Sequence, residues 1–390
     1  MAEEFLLLNP GPVPISDRVR AAMSQEMISH RSPEFQAIYE RVQNALTHIF
    51  RQSAISDTPT NRDGATLVLN GTTTLAMEAA VANLVDEDSE VLALVNGKFG
   101  RRFARIADRY ARCTRIDVKW GQSFDQSVVA EYVTDEIDLV TMVHNETTTG
   151  LCNPVGSVGE IVAEHDARFV VDAAASIGGT EFRIDEWNVD IAVTGTQRAI
   201  GAPPGLSALY LRGDVMDEID GYQAPFYGDL DKHLRSAKNR QTPFSSAVAL
   251  FRALAEAGEE LVEEGVPTRI ERHHRQARAI RAGVRTMGLP LFSTATGETT
   301  YSDTVTAITL PEPLRQSPGQ FFDAVKERNV FIAGGLDHLE TELFRVSNMG
   351  AFEDGEIRRG IRVIGEAMNE AGVAVEVDRG LEAADNVLEG

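Results

Sequence analysis

Lysine is scarce in this chain of 390 residues. Only five lysines occur among 37 basic residues, whereas aspartate and glutamate total 59, which gives a formal net charge of −22. A protein without a basic surplus cannot displace the counterions of a nucleic acid, so DNA and RNA are excluded as partners. A surface rich in carboxylates and poor in lysine is typical of proteins kept in concentrated salt, and we expect a salt-adapted source rather than an ordinary acidic protein.

Cysteine is also rare, and long apolar runs are missing. Cys113 and Cys152 lie far apart and have no metal-type spacing, so we expect no metal and a reduced, cytoplasmic setting.

No segment approaches the roughly 18 apolar residues of a membrane helix, so no membrane partner is expected. The N-terminus lacks the basic start of a signal peptide. The length suits two domains.

The first two thirds of the chain alternate short apolar, β-branched runs with helical patterns. The apolar runs predict strands, and a helix is predicted at 75–85. Strands that are apolar on both faces and separated by helices indicate an α/β fold with a mainly parallel central sheet. The predicted strands lie at residues 66–70, 90–95, 139–143, 168–172, 191–193 and 207–211.

The last third predicts a smaller α+β domain. Its pattern is three longer helices and two short strands, and the tail at 379–390 is expected to fray. The sequence thus divides into an N-terminal arm at 1–20, a large domain at 21–265 and a small domain at 266–390. The predicted helices lie at 245–264, 268–287 and 354–371, and the strands at 304–310 and 330–333.

Polar residues follow several predicted strands at the edge where α/β proteins bind ligands. Thr72, Thr73 and Thr74 lie between a predicted strand and the start of a predicted helix, where hydroxyls and free N–H groups form a cradle for an anion, although by themselves they favour an ordinary threonine cap. Phe99 lies between glycines and either stacks on a flat ring or fills the core. Asp172 ends a buried strand, where a carboxylate pairs with a cation such as a protonated ring nitrogen or caps the next turn.

These features recur within a longer series of motifs. Together the motifs resemble the class V aminotransferases of the fold-type I pyridoxal-phosphate superfamily, and within it the alanine–glyoxylate and serine–pyruvate group. Several ordered motifs at family-like spacing are far more specific than any one of them. They lie at residues 8–14, 29–35, 144–150, 171–179, 194–205 and 344–350.

The resemblance implies that the large domain binds pyridoxal phosphate. Residues of this chain would hold the phosphate, stack on the ring, bond the ring hydroxyl and pair with the ring nitrogen, which keeps the ring an electron acceptor. In that order these residues are Thr72, Thr73 and Thr74, then Phe99, then Thr147 or Thr148, and finally Asp172.

Further residues implied by the resemblance concern the phosphate, the substrate and the partner subunit. Gln197 would line the phosphate pocket, and Arg345 would clamp the substrate carboxylate as a fork, unless it is a surface arginine. Thr242 would reach the phosphate of a neighbouring subunit's cofactor, which implies a homodimer. Asn239 occupies the position where the family often has a tyrosine, which weakens that last assignment.

Arg198 departs from the family pattern, which has a lysine directly after the glutamine matched by Gln197. Covalent attachment of the cofactor needs a neutral amine, and arginine keeps its proton at working pH. The same lysine shuttles a proton, and loss of a general base typically lowers a rate by about 10²–10⁴. The sequence therefore predicts non-covalent binding of pyridoxal phosphate or pyridoxamine phosphate.

Three interpretations of Arg198 stay open. The chain is an impaired aminotransferase that transfers an amino group from alanine, serine or aspartate to glyoxylate or pyruvate. Alternatively, it is a lysine-free enzyme that uses the amine cofactor with another base, for which His144 is a candidate, although a packed histidine is the simpler interpretation. In the third case it is a non-catalytic homologue that acts as a binding partner.

Neighbouring chemistries fit less well. A cysteine desulfurase needs a cysteine in the second half, and both cysteines precede residue 160. Phosphoserine aminotransferases need additional basic residues for a second phosphate. A dinucleotide-binding fold is not indicated, because no G-x-G-x-x-G follows the first predicted strand.

Overall fold

The computed structural model describes residues 5–53, 64–219 and 224–390, so the first four residues of the predicted N-terminal arm lie outside the described chain. The predicted strands are present within one or two residues of their expected ends. In chain order the strands are β1 (Leu6–Leu8), β2 (Gly64–Asn70), β3 (Glu90–Val95), β4 (Arg112–Asp117), β5 (Leu139–Val143), β6 (Asn145–Glu146), β7 (Leu151–Cys152), β8 (Arg168–Asp172), β9 (Ile191–Gly195), β10 (Leu206–Arg212), β11 (Thr300–Tyr301), β12 (Val305–Thr309), β13 (Val330–Gly334) and β14 (Leu343–Ser347).

Helices account for much of the remaining described chain, and none of them has the length and apolar character needed to span a bilayer. In chain order they are α1 (Asp17–Met23), α2 (Pro33–Gln52), α3 (Thr73–Ala82), α4 (Lys98–Ala107), α5 (Gln126–Tyr132), α6 (Val155–Ala163), α7 (Gly213–Glu218), α8 (Leu230–Ala237), α9 (Val248–Glu264), α10 (Val266–Thr286), α11 (Glu312–Arg315), α12 (Gly319–Glu327), α13 (Asp354–Glu370) and α14 (Val377–Leu388).

The large domain is built on a sheet that, within the described residues, has seven strands in the order β2-β10-β9-β8-β5-β3-β4. The neighbours from β9 to β4 are parallel, which confirms the predicted mainly parallel sheet. Strand β10 is antiparallel to both β2 and β9, so β2 and β9 run in the same direction. The carboxyl ends of β2, β3, β5, β8 and β9 therefore meet along one edge, which is the ligand edge of α/β folds.

The small domain contains a second sheet with the order β1-β13-β14-β12. Strand β1 comes from the N-terminal arm and pairs in parallel with β13, so the arm joins the far end of the chain. The apolar side chains form two main clusters, one around the large sheet and one that contains Leu6 and Leu8 with residues of α10 and α13. The segment after β1 therefore leaves this second sheet and passes beside the ligand edge, where the Pro10 carbonyl contacts Arg198.

The predicted fraying of residues 379–390 is wrong. These residues form most of α14, whose buried side of Gly380, Ala384 and Leu388 has helical spacing. A Cβ added at Gly380 would lie 3.0 Å from the carbonyl oxygen of Gly283 in α10, so glycine allows the two helices to pack closely. Arg275 of α10 also donates to the carbonyl of Leu388 at 2.8 Å.

Candidate active site

A cavity of about 250 Å³ lies at the carboxyl edge of the large sheet. The residues that line it follow β2, β3, β5, β8 and β9, as the parallel topology requires. The lining residues that the sequence predicted are Thr72, Thr73, Thr74, Phe99, Thr147, Asp172, Gln197 and Arg198. The others are Met77, Arg102, Asn145, Ala174 and Ala175.

The N-terminus of α3 presents unused donors to the cavity. Thr72 occupies the cap position, yet its side chain makes no capping hydrogen bond, so the ordinary threonine cap is not formed. The Thr73 hydroxyl is buried and has no partner among the described residues. The Thr74 hydroxyl accepts a hydrogen bond from Arg102 Nη1 at 3.0 Å. Free N–H groups, hydroxyls and a guanidinium at a helix start together form a cradle for an anion.

Gly195 lets the end of β9 approach this cradle. A Cβ at Gly195 would lie 2.1 Å from Thr73 Oγ1 and 3.0 Å from Gln197 Oε1. Contacts that short do not occur, so any larger residue would displace the two polar side chains. Gln197 Oε1 is itself buried without a partner among the described residues. The close approach thus places two unused polar atoms side by side at the cavity wall.

Asp172 caps the turn that follows its strand and also lines the cavity. One carboxylate oxygen accepts a hydrogen bond from the Ala174 N–H at 2.9 Å, which caps the turn after β8. The residue also lines the cavity, where burial raises its pKa to about 6, against the lowering effects of the Ala174 bond and the charge of Arg198. The carboxyl group is therefore mainly ionised at neutral pH and suits a protonated ring nitrogen.

Arg198 is half-buried at the cavity wall and contacts the N-terminal segment. Its Nη1 donates to the carbonyl of Pro10, and its Cζ lies 5.7 Å from the centroid of the Phe99 ring. Gly11 has φ +129°, and a Cβ there would lie 3.0 Å from Arg198 Cδ, so the arm packs tightly on the side chain. Burial lowers the pKa of Arg198, while the charge of Asp172 opposes that effect.

Phe99 is positioned by a cap that comes from a distant part of the chain. Gly97 precedes α4 and offers no side chain, and the Glu146 carboxylate accepts from the N–H groups of Phe99 at 3.1 Å and Gly100 at 3.2 Å. Burial raises the pKa of Glu146, and these bonds lower it. Phe99 is half-buried at the wall, with Arg102 Cζ 4.9 Å from its ring centroid. The phenyl ring is therefore accessible to a flat ligand in the cavity and is not packed inside the hydrophobic core.

Arg345 is a buried arginine rather than a surface one, with 6% of the residue exposed. Its Nε donates to the carbonyl of Gly334 at 2.9 Å, and its Nη1 donates to the carbonyl of Thr147 at 3.1 Å. Burial and the charge of Arg198 lower its pKa to about 10. Arg345 therefore lies directly behind a lining residue, next to the cavity rather than in its wall.

Two predicted residues lie away from the cavity. The Thr148 hydroxyl accepts from the Lys98 N–H at 3.3 Å and belongs to the start of α4, so Thr147 is the one of the pair that faces the cavity. The Thr242 hydroxyl donates to the carbonyl of Phe244 at 2.9 Å and shares a 2.6 Å bond with Ser246.

His144 does not reach the cavity, so its candidacy as a base there is wrong. Its ring bonds Ser176 Oγ at 2.9 Å through Nδ1 and Cys152 Sγ at 3.1 Å through Nε2, and burial lowers its pKa to about 3. Neighbouring residues of an extended segment point in opposite directions. Asn145 therefore faces the cavity, while His144 faces a separate cleft of about 660 Å³.

The geometry agrees with what known proteins show. The family described as "Aminotransferase class-V" matches residues 6–282 of the chain. The chain belongs to the class V aminotransferases. An uncharacterized aminotransferase of Methanocaldococcus jannaschii is 35% identical over 99% of this chain and 98% of its own length. The L-aspartate–glyoxylate aminotransferase of Paracoccus denitrificans is 29% identical over 98% of this chain and 96% of its own.

Solved structures of class V enzymes confirm the predicted fold-type I architecture. The pyridoxamine–pyruvate aminotransferase of Mesorhizobium loti superposes with a TM-score of 0.91 at 28% identity and covers 100% of this chain and 98% of that one. The ureidoglycine–glyoxylate aminotransferase of Bacillus subtilis gives a TM-score of 0.88 at 28% identity, with 100% and 99% covered.

The cavity wall of this class V aminotransferase has polar groups that fit the phosphate and the ring nitrogen of pyridoxal phosphate, but no amine for covalent attachment. Four buried polar atoms at its wall have no partner among the described residues: Thr73 Oγ1, Asn145 Oδ1, Gln197 Oε1 and Arg198 Nε. Buried polar atoms are normally hydrogen-bonded, so this group indicates a polar ligand. The cradle suits a phosphate and Asp172 suits a ring nitrogen. Arginine, in contrast, offers no neutral amine for a covalent bond.

Some lining residues escaped the sequence reasoning, although signals for two of them existed. Arg102 follows Phe99 by three residues on the same helix, and residues at that spacing share a face. Asn145 precedes Thr147 by two residues in an extended segment, which also places the two on one side. Nothing local connects Glu146 with the start of α4, because that contact depends on the order of the strands.

Proposed function

We propose that this chain holds pyridoxal phosphate or pyridoxamine phosphate without a covalent bond and that it is an aminotransferase impaired by Arg198. The observation that carries the proposal is a contrast within one cavity. Thr72, Thr73, Thr74 and the carboxylate of Asp172 line the cavity, whereas position 198 carries a guanidinium bonded to the Pro10 carbonyl.

When bound, the cofactor supplies an electron sink for the substrate carbon. The chain's own residues position and polarise it. The free N–H groups and hydroxyls at Thr72, Thr73 and Thr74 bind the phosphate at the start of α3. Asp172 keeps the proton on the ring nitrogen, and Phe99 covers one face of the ring and excludes water from it.

Arg198 removes two functions that the resemblance assigns to this position. It cannot attack the cofactor aldehyde, since its nitrogens are protonated and delocalised. It cannot readily take a proton from the substrate carbon, because it has no free base form at working pH. A missing general base lowers the rate by about 10²–10⁴, so we expect slow transamination by the native chain.

The substrates proposed are a small amino acid and a 2-oxo acid. Alanine, serine or aspartate is the donor and glyoxylate or pyruvate the acceptor. Similar proteins include aspartate–glyoxylate, serine–glyoxylate, alanine–glyoxylate and pyridoxamine–pyruvate aminotransferases. Arg345 would bind the substrate carboxylate. Its Nε and Nη1 are held by backbone carbonyls, and Nη2 donates to no described residue, so one end of the fork is free for a ligand.

A homodimer belongs to the same proposal. Phe226 is 76% exposed, and Tyr227 stacks on Phe244 with ring centroids 5.0 Å apart. The Tyr227 hydroxyl donates to the carbonyl of Asn70, directly before the phosphate cradle. An exposed aromatic patch beside the cavity suits contact with a second copy, in which Thr242 would approach the partner's phosphate. A cytoplasmic location is proposed with it, consistent with two free cysteines.

The test is rescue by Arg198→Lys. Both proteins are mixed with pyridoxal phosphate and then with alanine, serine or aspartate, and the cofactor's conversion to its amine form is followed by absorbance. We expect conversion about 10² times faster or more in the variant. Arg285→Lys, at an exposed arginine remote from the cavity, is the matched control and should change nothing.

Two other results would change the assignment. Covalent cofactor attachment without conversion by any amino acid would contradict the aminotransferase proposal and favour the binding-partner interpretation. Rapid turnover of the native chain with the amine cofactor would instead support a lysine-free enzyme.

A further inference from the structure

Arg198 is an incompletely bonded cation at the position where the family places its amine. Nη1 is taken by the Pro10 carbonyl, Nε is buried without a partner, and no described residue accepts a hydrogen bond from Nη2. A buried donor without an acceptor is destabilising, because it has lost its hydrogen bonds to water. The side chain therefore has unused donors on the guanidinium edge that binds both oxygens of a carboxylate.

The two other arginines near the cavity are placed for other groups, Arg102 for the phosphate and Arg345 for the substrate carboxylate. Arg102 bonds the Thr74 hydroxyl and lies against Phe99, which directs it to the phosphate end. Arg345 is held by two backbone carbonyls behind Thr147. Arg198 is thus the cation that determines which ring substituent the cavity accepts.

The three oxidation levels of that substituent differ in charge. An aldehyde is neutral and offers one acceptor, whereas the amine is protonated at neutral pH and is repelled by a guanidinium. A carboxylate is negative and accepts two hydrogen bonds in the geometry of the arginine fork. A lysine that reacts with the aldehyde favours the aldehyde, and an arginine in its place favours the carboxylate.

We propose that Arg198 makes this cavity selective for a phosphorylated pyridine whose aldehyde position carries a carboxylate, over the aldehyde and amine forms. The inference rests on the proposed function, because it assumes that the phosphate and the ring occupy the cradle and the Phe99 wall. It adds that Arg198 recognises a ligand rather than merely disabling a catalyst.

The test is a comparison of three ligands by titration calorimetry on the full chain in concentrated salt. The ligands are pyridoxal phosphate, pyridoxamine phosphate and pyridoxal phosphate oxidised to its carboxylate. We expect the carboxylate to bind about ten times more tightly than the amine or better, because charge-assisted hydrogen bonds are strong. Arg198→Met, which keeps the aliphatic length without the charge, should reduce this ratio to about one.

Arg102→Met is the matched control, since it removes a cation from the same cavity at the phosphate end. It should weaken the binding of all three ligands by a similar factor and preserve the order of their affinities. Thermal unfolding of both variants checks that each is folded. Equal or tighter binding of the amine form by the native chain would overturn the inference while the proposed function stands. Failure of all three ligands to bind would overturn the proposed function as well.

Discussion

The carboxyl group of Asp172 should make stability depend on pH. Its folded pKa of about 6 lies above the ordinary 3.8, so the folded state binds more protons between those values and stability falls as the pH rises through them. The full loss of folding stability caused by this raised pKa, about 3 kcal/mol, is present above about pH 6. Asp172→Asn keeps an acceptor for the Ala174 N–H and removes the charge, so it should be more stable than the native chain near neutral pH.

Urea unfolding at about pH 4 and pH 7.5, at constant salt, checks this prediction. The stability difference between Asp172→Asn and the native chain should be present at the higher pH and nearly absent at the lower one. The same difference at both pH values would show that the Asp172 charge is not the cause.

The unpartnered hydroxyl of Thr73 should contribute to ligand binding rather than to folding. Thr73→Val removes the hydroxyl at nearly constant shape, so we expect about tenfold weaker binding of pyridoxal phosphate with little change in stability. Thr141→Val is the matched control, because Thr141 Oγ1 is also buried and unpartnered among the described residues but lies in β5, outside the cavity wall. Equal effects of both substitutions on binding, measured by calorimetry, would contradict the cradle assignment.

The wall of the cavity could be predicted where a residue ends a strand or lies within a few residues of its end, as Asp172 and Arg198 do, because the parallel topology brings strand ends together. It could not be predicted where a contact depends on the relative placement of distant segments. The hydrogen bond from Arg198 to the Pro10 carbonyl is one such contact, and the bond between the Glu146 carboxylate and the start of α4 is another. Neither leaves a periodic or spacing signal in the sequence.

Among the elements, α14 offers a direct test of packing. Gly380→Ala should destabilise the chain by about 1–3 kcal/mol, since its Cβ would meet Met287 and the Gly283 carbonyl. Gly355→Ala is the matched control in α13, where nothing lies within 4 Å of an added Cβ, so better helix propensity should stabilise it slightly. Urea unfolding measures both. If the two variants behaved alike, close packing of α14 on α10 would be excluded.

Apolar patterns in the sequence predict which segments are buried, but not the direction of a strand or the close packing of small residues. The parallel strands β3, β5 and β8 and the long helices α9, α10 and α13 were predictable, because apolar periodicity reports burial. The antiparallel direction of β10 was not, because a strand buried on both faces looks the same in either direction. The tail was expected to fray because Gly380 and Ala384 are small. They pack through close approach of the helices and not by burying large apolar side chains.

At the scale of the whole molecule, the charge of −22 and the aromatic patch make opposite demands on assembly. Like charges repel two copies in dilute buffer, whereas salt screens that repulsion. We expect a homodimer in concentrated salt and a monomer for Phe226→Asp, with Tyr132→Asp as the control at an exposed aromatic outside the patch. Light scattering distinguishes them. A native monomer in concentrated salt would contradict the dimer.

The central claim is that Arg198 alone separates this cavity from a complete pyridoxal-phosphate site. The most direct measurement is the mass of the native chain and of Arg198→Lys after incubation with pyridoxal phosphate, reduction with borohydride and peptide mapping. We expect one cofactor per chain on the peptide containing position 198 of the variant, and none on the same peptide of the native protein. An unmodified peptide in a folded variant would contradict it, because the cradle, Asp172 and Phe99 would then not hold the cofactor against that position.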